Sequence, residues 1–176
     1  LYTGSGAVAR KVVANAATNL VPTTLELGGK SPTIISADAD LKLAAKRIMF
    51  VKTLNAGQIC LSPDYIMIKK GLEEKLISEL QQVFKSFYPE SNTKDYTSMV
   101  NDHHHQRMHE YLQDAKDKGA KIVNLGEFDS NENNIMTTKV LLNVNDNMRV
   151  MQEEIFGPLL PIMVYEELSE VVDYIN

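Results

Sequence analysis

Two side chains with the reactivity needed for covalent catalysis lie beside glycines. Glu26 opens the segment E-L-G-G-K at 26–30. Cys60 closes the segment N-A-G-Q-I-C at 55–60 and is the only cysteine in the 176 residues. A thiol can form a covalent intermediate, and a carboxylate elsewhere in the chain can act as the acid or base. The pair therefore suggests a covalent thiol mechanism with a separate acid–base residue.

Each of these residues also has a purely structural interpretation. A lone cysteine is most often a buried small hydrophobic residue, although the glycine and glutamine before Cys60 favour an accessible loop. Glu26 alternates with Leu25 and Leu27, so a strand would place both leucines on one face and the carboxylate on the other. Such a carboxylate is either a general base or a solvated charge. The residues by themselves leave both alternatives open.

Composition narrows the class of protein. A chain of 176 residues can bury one sizeable core, and the 44% hydrophobic and 23% charged content is ordinary for a globular domain. The net charge of −5 gives no reason to expect nucleic acid or an anionic membrane as partner. A single cysteine cannot form an internal disulfide, which favours a reducing, cytoplasmic compartment. The first residue is not methionine and the last residues continue a helical pattern, so we expect a piece of a longer protein.

Short β-rich segments alternate with amphipathic helical ones, which predicts an α/β fold with a largely parallel, layered sheet. The clearest helix covers 71–87, where apolar residues recur at three- and four-residue spacing. Further helices are predicted over 7–19, 41–54, 102–118 and 169–176. Strands are predicted over 1–3, 23–27, 32–36, 64–69, 121–125, 137–144 and 160–164. Segment 148–158 fits neither pattern, and 89–97 and 128–134 are predicted loops.

Other polar residues carry weaker signals. Four histidines begin the helix predicted over 102–118: His103, His104, His105 and His109. The last two are one helical turn apart, as metal ligands can be, but no cysteine lies nearby, so we predict a solvated helix start and no metal. The turn G-S-G at 4–6 could offer N–H groups to a phosphate or could be an ordinary turn. Lys30 and Arg10 are predicted to be surface charges.

Three motifs, in order along the chain, resemble those of the aldehyde dehydrogenase superfamily. They are E-L-G-G-K at 26–30, G-Q-I-C at 57–60 and E-E-I-F-G-P at 153–158, and the opening Y-T-G-S at 2–5 is similar to the family's F-T-G-S turn. The residues L-S-P-D-Y at 61–65 look most like the class-3 and coniferyl-aldehyde branch. The resemblance implies that 1–176 form a three-layer α/β/α catalytic domain with a mostly parallel sheet, with the cofactor-binding domain of a longer protein largely absent.

The resemblance also implies roles in an oxidation of aldehydes to carboxylic acids. Cys60 would attack the aldehyde to give a thiohemiacetal, and hydride transfer to NAD or NADP would leave a thioester. Glu26 would activate the water that releases the acid. The backbone N–H of Cys60 would be one donor of the oxyanion hole.

Five residues would bind the cofactor according to the same resemblance. Glu154 would hold the nicotinamide-side ribose and Phe156 would pack near the nicotinamide ring. Ser5 would lie near the pyrophosphate, with Leu27 and Gly28 beside the cofactor.

Alternatives remain at this stage. An acylating relative would pass the thioester to coenzyme A, although such relatives look as though they lack a base at the position of Glu26. The chain could instead be a non-catalytic folding or interaction module. Members of the family are more than twice as long, so we expect the 176 residues alone not to turn over aldehyde. A homodimer is expected at full length, and the identity of the aldehyde stays open.

Overall fold

The computed structural model describes residues 1–89 and 94–176. The strands are β1 (Tyr2–Thr3), β2 (Leu25–Glu26), β3 (Pro32–Ile35), β4 (Tyr65–Lys69), β5 (Lys121–Asn124), β6 (Lys139–Leu142) and β7 (Leu159–Tyr165). The helices are α1 (Gly6–Ala17), α2 (Leu41–Thr53), α3 (Glu73–Phe87), α4 (Asp102–Asp117), α5 (Arg149–Gln152) and α6 (Leu168–Ile175).

A five-stranded sheet in the order β3-β4-β7-β6-β5 forms the centre of the fold. The first three pairings in this order are parallel, and only β5 and β6 run antiparallel. Parallel neighbours need a crossover, and α2 supplies it between β3 and β4. The predicted α/β fold with a mostly parallel sheet flanked by helices is therefore confirmed.

The central strands explain why the helices must cover this sheet. In β4, Ile66, Met67 and Ile68 follow one another and all three are buried. A strand that is apolar on both faces needs cover on both, which is the usual condition of a parallel strand. Strand β7 is buried in the same way over its first four residues. The loops after β3, before β4 and before β7 are therefore attached to a rigid sheet.

Helix boundaries agree with the sequence patterns to within a few residues. In α4 the predicted inward residues Met108, Tyr111, Leu112 and Ala115 are all buried. Helix α2 begins after Asp40, whose carboxylate accepts hydrogen bonds from the N–H groups of the first turn. The longest helix among the described residues has 16 residues, and none of the described helices is long and apolar enough to cross a membrane.

Four segments differ from the sequence expectations or were not assigned by them. The strands predicted over 23–27 and 137–144 are shorter in the structure, Leu25–Glu26 and Lys139–Leu142. The ambiguous segment 148–158 contains the short helix α5, after which the chain is irregular up to β7. The loop predicted over 89–97 includes residues 90–93, which lie outside the described residues.

Candidate active site

Cys60 lies just after a strained turn that ends α2. A 3-10 turn at Leu54–Gly57 follows the helix, and Asn55, Ala56 and Gly57 have φ angles of 52°, 53° and 74°. Two non-glycine residues in the left-handed region cost free energy and persist only where surrounding contacts hold them. The thiol that follows is exposed. The interpretation of Cys60 as a buried hydrophobic residue is therefore wrong.

Gln58 supplies the contacts that hold this turn. Its side chain is buried, and its Nε2 donates to the carbonyl oxygens of Asn55 at 2.9 Å and Ser98 at 3.2 Å. Its Oε1 accepts from the backbone N–H of Val100 at 2.9 Å. The amide thus ties the cysteine loop to the segment that precedes α4.

Glu26 lies in β2, beside the G-S-G turn. The N–H of Gly4 donates to the Glu26 carbonyl oxygen at 3.0 Å. The hydroxyl of Ser5 accepts weakly from the N–H of Val8 at 3.4 Å and so caps α1. The Glu26 side chain is exposed. Among the described residues, no hydrogen bond or ion pair joins Glu26 to Cys60.

The two leucines flanking Glu26 line one apolar groove. This groove has a volume of about 450 Å³ and is lined by Gly6, Ala9, Arg10, Val13, Ala14, Leu25 and Leu27. Leu25 and Leu27 therefore share a face, as the alternating pattern predicts. Arg10 is exposed, as predicted.

Glu154 and Gly28 come into close contact. A Cβ atom added to Gly28 would lie 2.7 Å from the carboxyl carbon of Glu154, so any larger residue would displace this carboxylate. Phe156 follows with a φ of 46° and a side chain that is 38% exposed. The structure thus brings together the loop after β2 and the segment before β7, which are far apart in sequence.

The cysteine loop packs against the same segment. A Cβ atom added to Gly57 would lie 2.5 Å from the carbonyl oxygen of Gly157. The three motifs therefore converge: 26–30 meets 153–158 through Gly28, and 57–60 meets it through Gly57.

Lys30 is not the surface charge that the sequence predicted. Its side chain is partly buried and forms an ion pair with Asp64. Its ammonium also donates to the carbonyl oxygens of Val150 and Glu153, both at 2.9 Å. No local sequence pattern indicates this role, because all partners of Lys30 lie far along the chain. Asp64 itself accepts from the N–H of Ile155 at 2.9 Å.

Two further residues at the site were missed. Lys52 in α2 is fully buried, and its ammonium donates to the carbonyl oxygen of Pro63 at 2.8 Å. Burial lowers the pKa of Lys52 to about 8, against the opposing effect of Asp64. Arg107 in α4 donates to the carbonyl oxygens of Glu154 at 3.2 Å and Ile155 at 2.7 Å. Nothing in the sequence around Lys52, near the end of its helix, indicates that this lysine is buried.

Lys52 should make the stability of the protein depend on pH. An unfolded lysine titrates near 10.5, so between pH 8 and 10.5 the unfolded chain binds a proton that folded Lys52 has released. The contribution of Lys52 to the free energy of unfolding therefore rises with pH. From pH 7.5 to 9.5 we expect the unfolding free energy of the natural protein to rise by about 2 kcal/mol relative to Lys52→Met.

Urea unfolding at both pH values measures this difference. The comparison with Lys52→Met cancels the contributions of the titratable groups that both proteins share. Exposed Lys42→Met in the same helix is the matched control and should show no such change. Parallel pH profiles for the natural protein and Lys52→Met would contradict the assignment.

The prediction of a solvated helix start agrees with the exposed His103 but is wrong for His105. His105 is buried, because it shares the inward face of α4 with Met108 and Leu112. The rings of His105 and His109 are edge to face with centroids 4.6 Å apart. Burial, reinforced by His105, lowers the pKa of His109. Among the described residues, no group of three or more His, Cys, Asp or Glu side chains is placed to hold a metal ion.

The chain belongs to the aldehyde dehydrogenase family, whose sequence profile matches residues 1–176. A Pseudomonas aeruginosa protein described as a probable coniferyl aldehyde dehydrogenase is 46% identical over 177 residues, covering 100% of this chain and 37% of the relative. The predicted resemblance to this branch is thereby confirmed.

Two solved structures share the fold. One, described as the substrate-bound state of Staphylococcus aureus AldH, has a TM-score of 0.90 and 38% identity, covering 99% of this chain and 38% of the other. The second is a variant betaine aldehyde dehydrogenase from the same species, solved with NAD+, with a TM-score of 0.85 and 28% identity. The alignment covers 98% of this chain and 36% of the betaine aldehyde dehydrogenase chain. The chain thus spans less than two-fifths of the length of these relatives.

Proposed function

We propose that these 176 residues are the cysteine-bearing catalytic domain of an NAD(P)-dependent aldehyde dehydrogenase, an oxidoreductase that converts aldehydes to carboxylic acids. The observation that supports this most directly is the contact of segment 153–158 with both other motifs, one of which carries the exposed thiol of Cys60. Gly57 brings the Cys60 loop against 153–158, and Gly28 brings the Glu26 loop against the same segment. The exposure of Cys60 speaks against a purely structural module.

Cys60 is the proposed nucleophile. Its sulfur attacks the carbonyl carbon of the aldehyde, and the resulting oxyanion is stabilised by a backbone N–H donor at Cys60. The left-handed turn at 55–57 sets the direction of this backbone. Oxidation of the thiohemiacetal leaves an acyl thioester on the sulfur.

The residues near Gly28 fit a dinucleotide. The absence of a Cβ at Gly28 leaves room for the carboxylate of Glu154, which is an acceptor for ribose hydroxyl groups. The half-exposed ring of Phe156 offers a flat surface to a nicotinamide. Ser5 at the N-terminus of α1 and Leu27 in the adjoining groove extend this surface. When bound, the dinucleotide supplies the hydride acceptor.

Glu26 is the proposed base for the last step. Its carboxylate takes a proton from water, which then attacks the thioester carbonyl and releases the carboxylic acid and the free thiol. Its exposure leaves it accessible to water. Direct contact with Cys60 is not required, since a water molecule lies between base and thioester in such a step.

Glu26→Gln in the full-length protein tests this role. We expect steady-state acid formation to fall by about 10²- to 10⁴-fold, because the amide cannot accept the proton. A first turnover of NAD(P)H should persist, with a stable acyl mass on Cys60. Glu127→Gln, in an exposed loop, is the control and should leave both unchanged. Unchanged acid formation in Glu26→Gln would contradict the role, and acyl transfer only to added coenzyme A would support an acylating dehydrogenase.

The remaining features of the whole protein are proposals of the same kind. The chain covers 37% of the Pseudomonas aeruginosa relative, so the 176 residues alone are expected not to oxidise aldehyde. We place the full-length enzyme in the cytoplasm, as a homodimer acting on a small-molecule aldehyde.

A further inference from the structure

The backbone of 153–156 is held by side chains from three other parts of the chain. Lys30 donates to the carbonyl oxygen of Glu153 at 2.9 Å. Arg107 donates from Nη1 to the carbonyl oxygen of Glu154 and from Nη2 to that of Ile155, at 3.2 and 2.7 Å. Asp64 accepts from the N–H of Ile155 at 2.9 Å. These side chains supply the hydrogen-bond partners that other backbone groups would supply in a regular strand or helix.

Such support is necessary because the segment has no regular structure of its own. Phe156 has a φ of 46°, which is unfavourable for a residue with a bulky side chain. Ile155, which lies between Glu154 and Phe156 in the sequence, is fully buried. Fixing Ile155 therefore fixes the directions of the two neighbouring side chains, one toward Gly28 and the other outward.

We propose that Asp64 and Arg107 are positioning residues for the dinucleotide, acting through Glu154 and Phe156 by their hydrogen bonds to the N–H and the carbonyl oxygen of Ile155. This inference rests on the proposed function and adds two residues to its cofactor site. Neither side chain needs to touch the dinucleotide. Their effect is to hold the Glu154 carboxylate and the Phe156 ring in the binding geometry before the dinucleotide arrives, which lowers the entropic cost of binding.

The chemistry of the two side chains suits this task. Asp64 is buried, and its two oxygens have separate partners, Lys30 and the N–H of Ile155. Its orientation is therefore fixed at both ends. The guanidinium of Arg107 is planar, with two donors at a set spacing that matches two successive carbonyl oxygens. A lysine could satisfy only one carbonyl at a time.

The test uses the full-length protein with the substitutions Asp64→Asn and Arg107→Lys, which keep size and, for arginine, charge. Asp38→Asn and Arg47→Lys, both exposed on the surface near or in α2, are the matched controls. Three quantities are measured: the Kd for NADH and for NADPH by fluorescence, the KM and kcat for NAD(P)+ with an aldehyde, and the alkylation rate of Cys60 without cofactor.

We expect the Kd and the KM for the dinucleotide to rise roughly tenfold in each variant, as for loss of one hydrogen bond to a charged group. We expect kcat to change less than threefold and the Cys60 alkylation rate to match that of the controls. Unchanged Kd and KM in both variants would overturn the proposal. A fall in thermal stability together with a slower alkylation of Cys60 would also overturn the proposal, since this would show a general structural role.

The same measurements separate this inference from the proposed function. If the unsubstituted protein binds NADH or NADPH but forms no acid from any aldehyde, the proposed function fails, and the Kd values of the variants still decide the positioning role. If the unsubstituted protein binds neither NADH nor NADPH, both are wrong.

Discussion

Cys60→Ser should abolish aldehyde oxidation by the full-length enzyme, lowering kcat by about 10⁴-fold or more. A serine hydroxyl is a far weaker nucleophile than a thiol unless an adjacent base activates it, and among the described residues no hydrogen bond joins Glu26 to position 60. Because Cys60 is exposed, the substitution should change the free energy of unfolding by only about 0.5 kcal/mol or less. Loss of activity without loss of stability would identify a chemical role.

Alkylation followed by intact mass gives an independent measurement of the same site. The 176 residues contain one thiol, so a single mass shift reports Cys60 alone in this chain. We expect full labelling of the native protein, at a rate that aldehyde or dinucleotide slows in the full-length enzyme. Labelling in urea is the control for reagent access. Labelling that occurs only after unfolding, or substantial activity in Cys60→Ser, would contradict the proposed nucleophile.

The sequence predicted those parts of the fold that depend on local patterns. The apolar face of α4 is correct residue by residue because a helical repeat depends only on spacing along the chain. The same is true of Leu25 and Leu27, which share one groove. The three motifs indicated Cys60, Glu26 and the 153–158 segment as candidates. In the structure the 153–158 segment contacts both other motifs, through Glu154 at Gly28 and through Gly157 at Gly57.

The environment of residues with distant partners could not be predicted from local sequence patterns. Lys30 bonds to the carbonyl oxygen of Val150, which lies 120 residues away. A lysine after two glycines gives no sign of such a partner, and the general rule that lysines are exposed predicts the wrong environment. The burial of Lys52 and His105 was not predicted for the same reason, because the packing of α2 and α4 decides it. The left-handed conformation of Ala56 is likewise not an intrinsic preference of alanine, whereas asparagine at position 55 adopts it more readily.

Gly57→Ala should be strongly destabilising, by about 3 kcal/mol. Two costs add at this position. A side chain at a φ of 74° costs about 1 kcal/mol or somewhat more, and the new Cβ would lie 2.5 Å from the carbonyl oxygen of Gly157, which forces a backbone shift costing about 1–3 kcal/mol. The shift would separate the Cys60 loop from 153–158, so activity should fall as well.

Gly71→Ala separates the two costs. Gly71 has a φ of 90°, but an added Cβ there would meet no atom within 4 Å, so only the conformational cost of about 1 kcal/mol applies. Urea unfolding of both variants and the native alkylation rate of Cys60 are the measurements. A difference of about 2 kcal/mol between the variants, with altered Cys60 reactivity only in Gly57→Ala, would show that contact with Gly157 positions the thiol. Equal destabilisation would mean that backbone conformation alone requires glycine at 57, and that the cysteine loop does not depend on the 153–158 segment for its position.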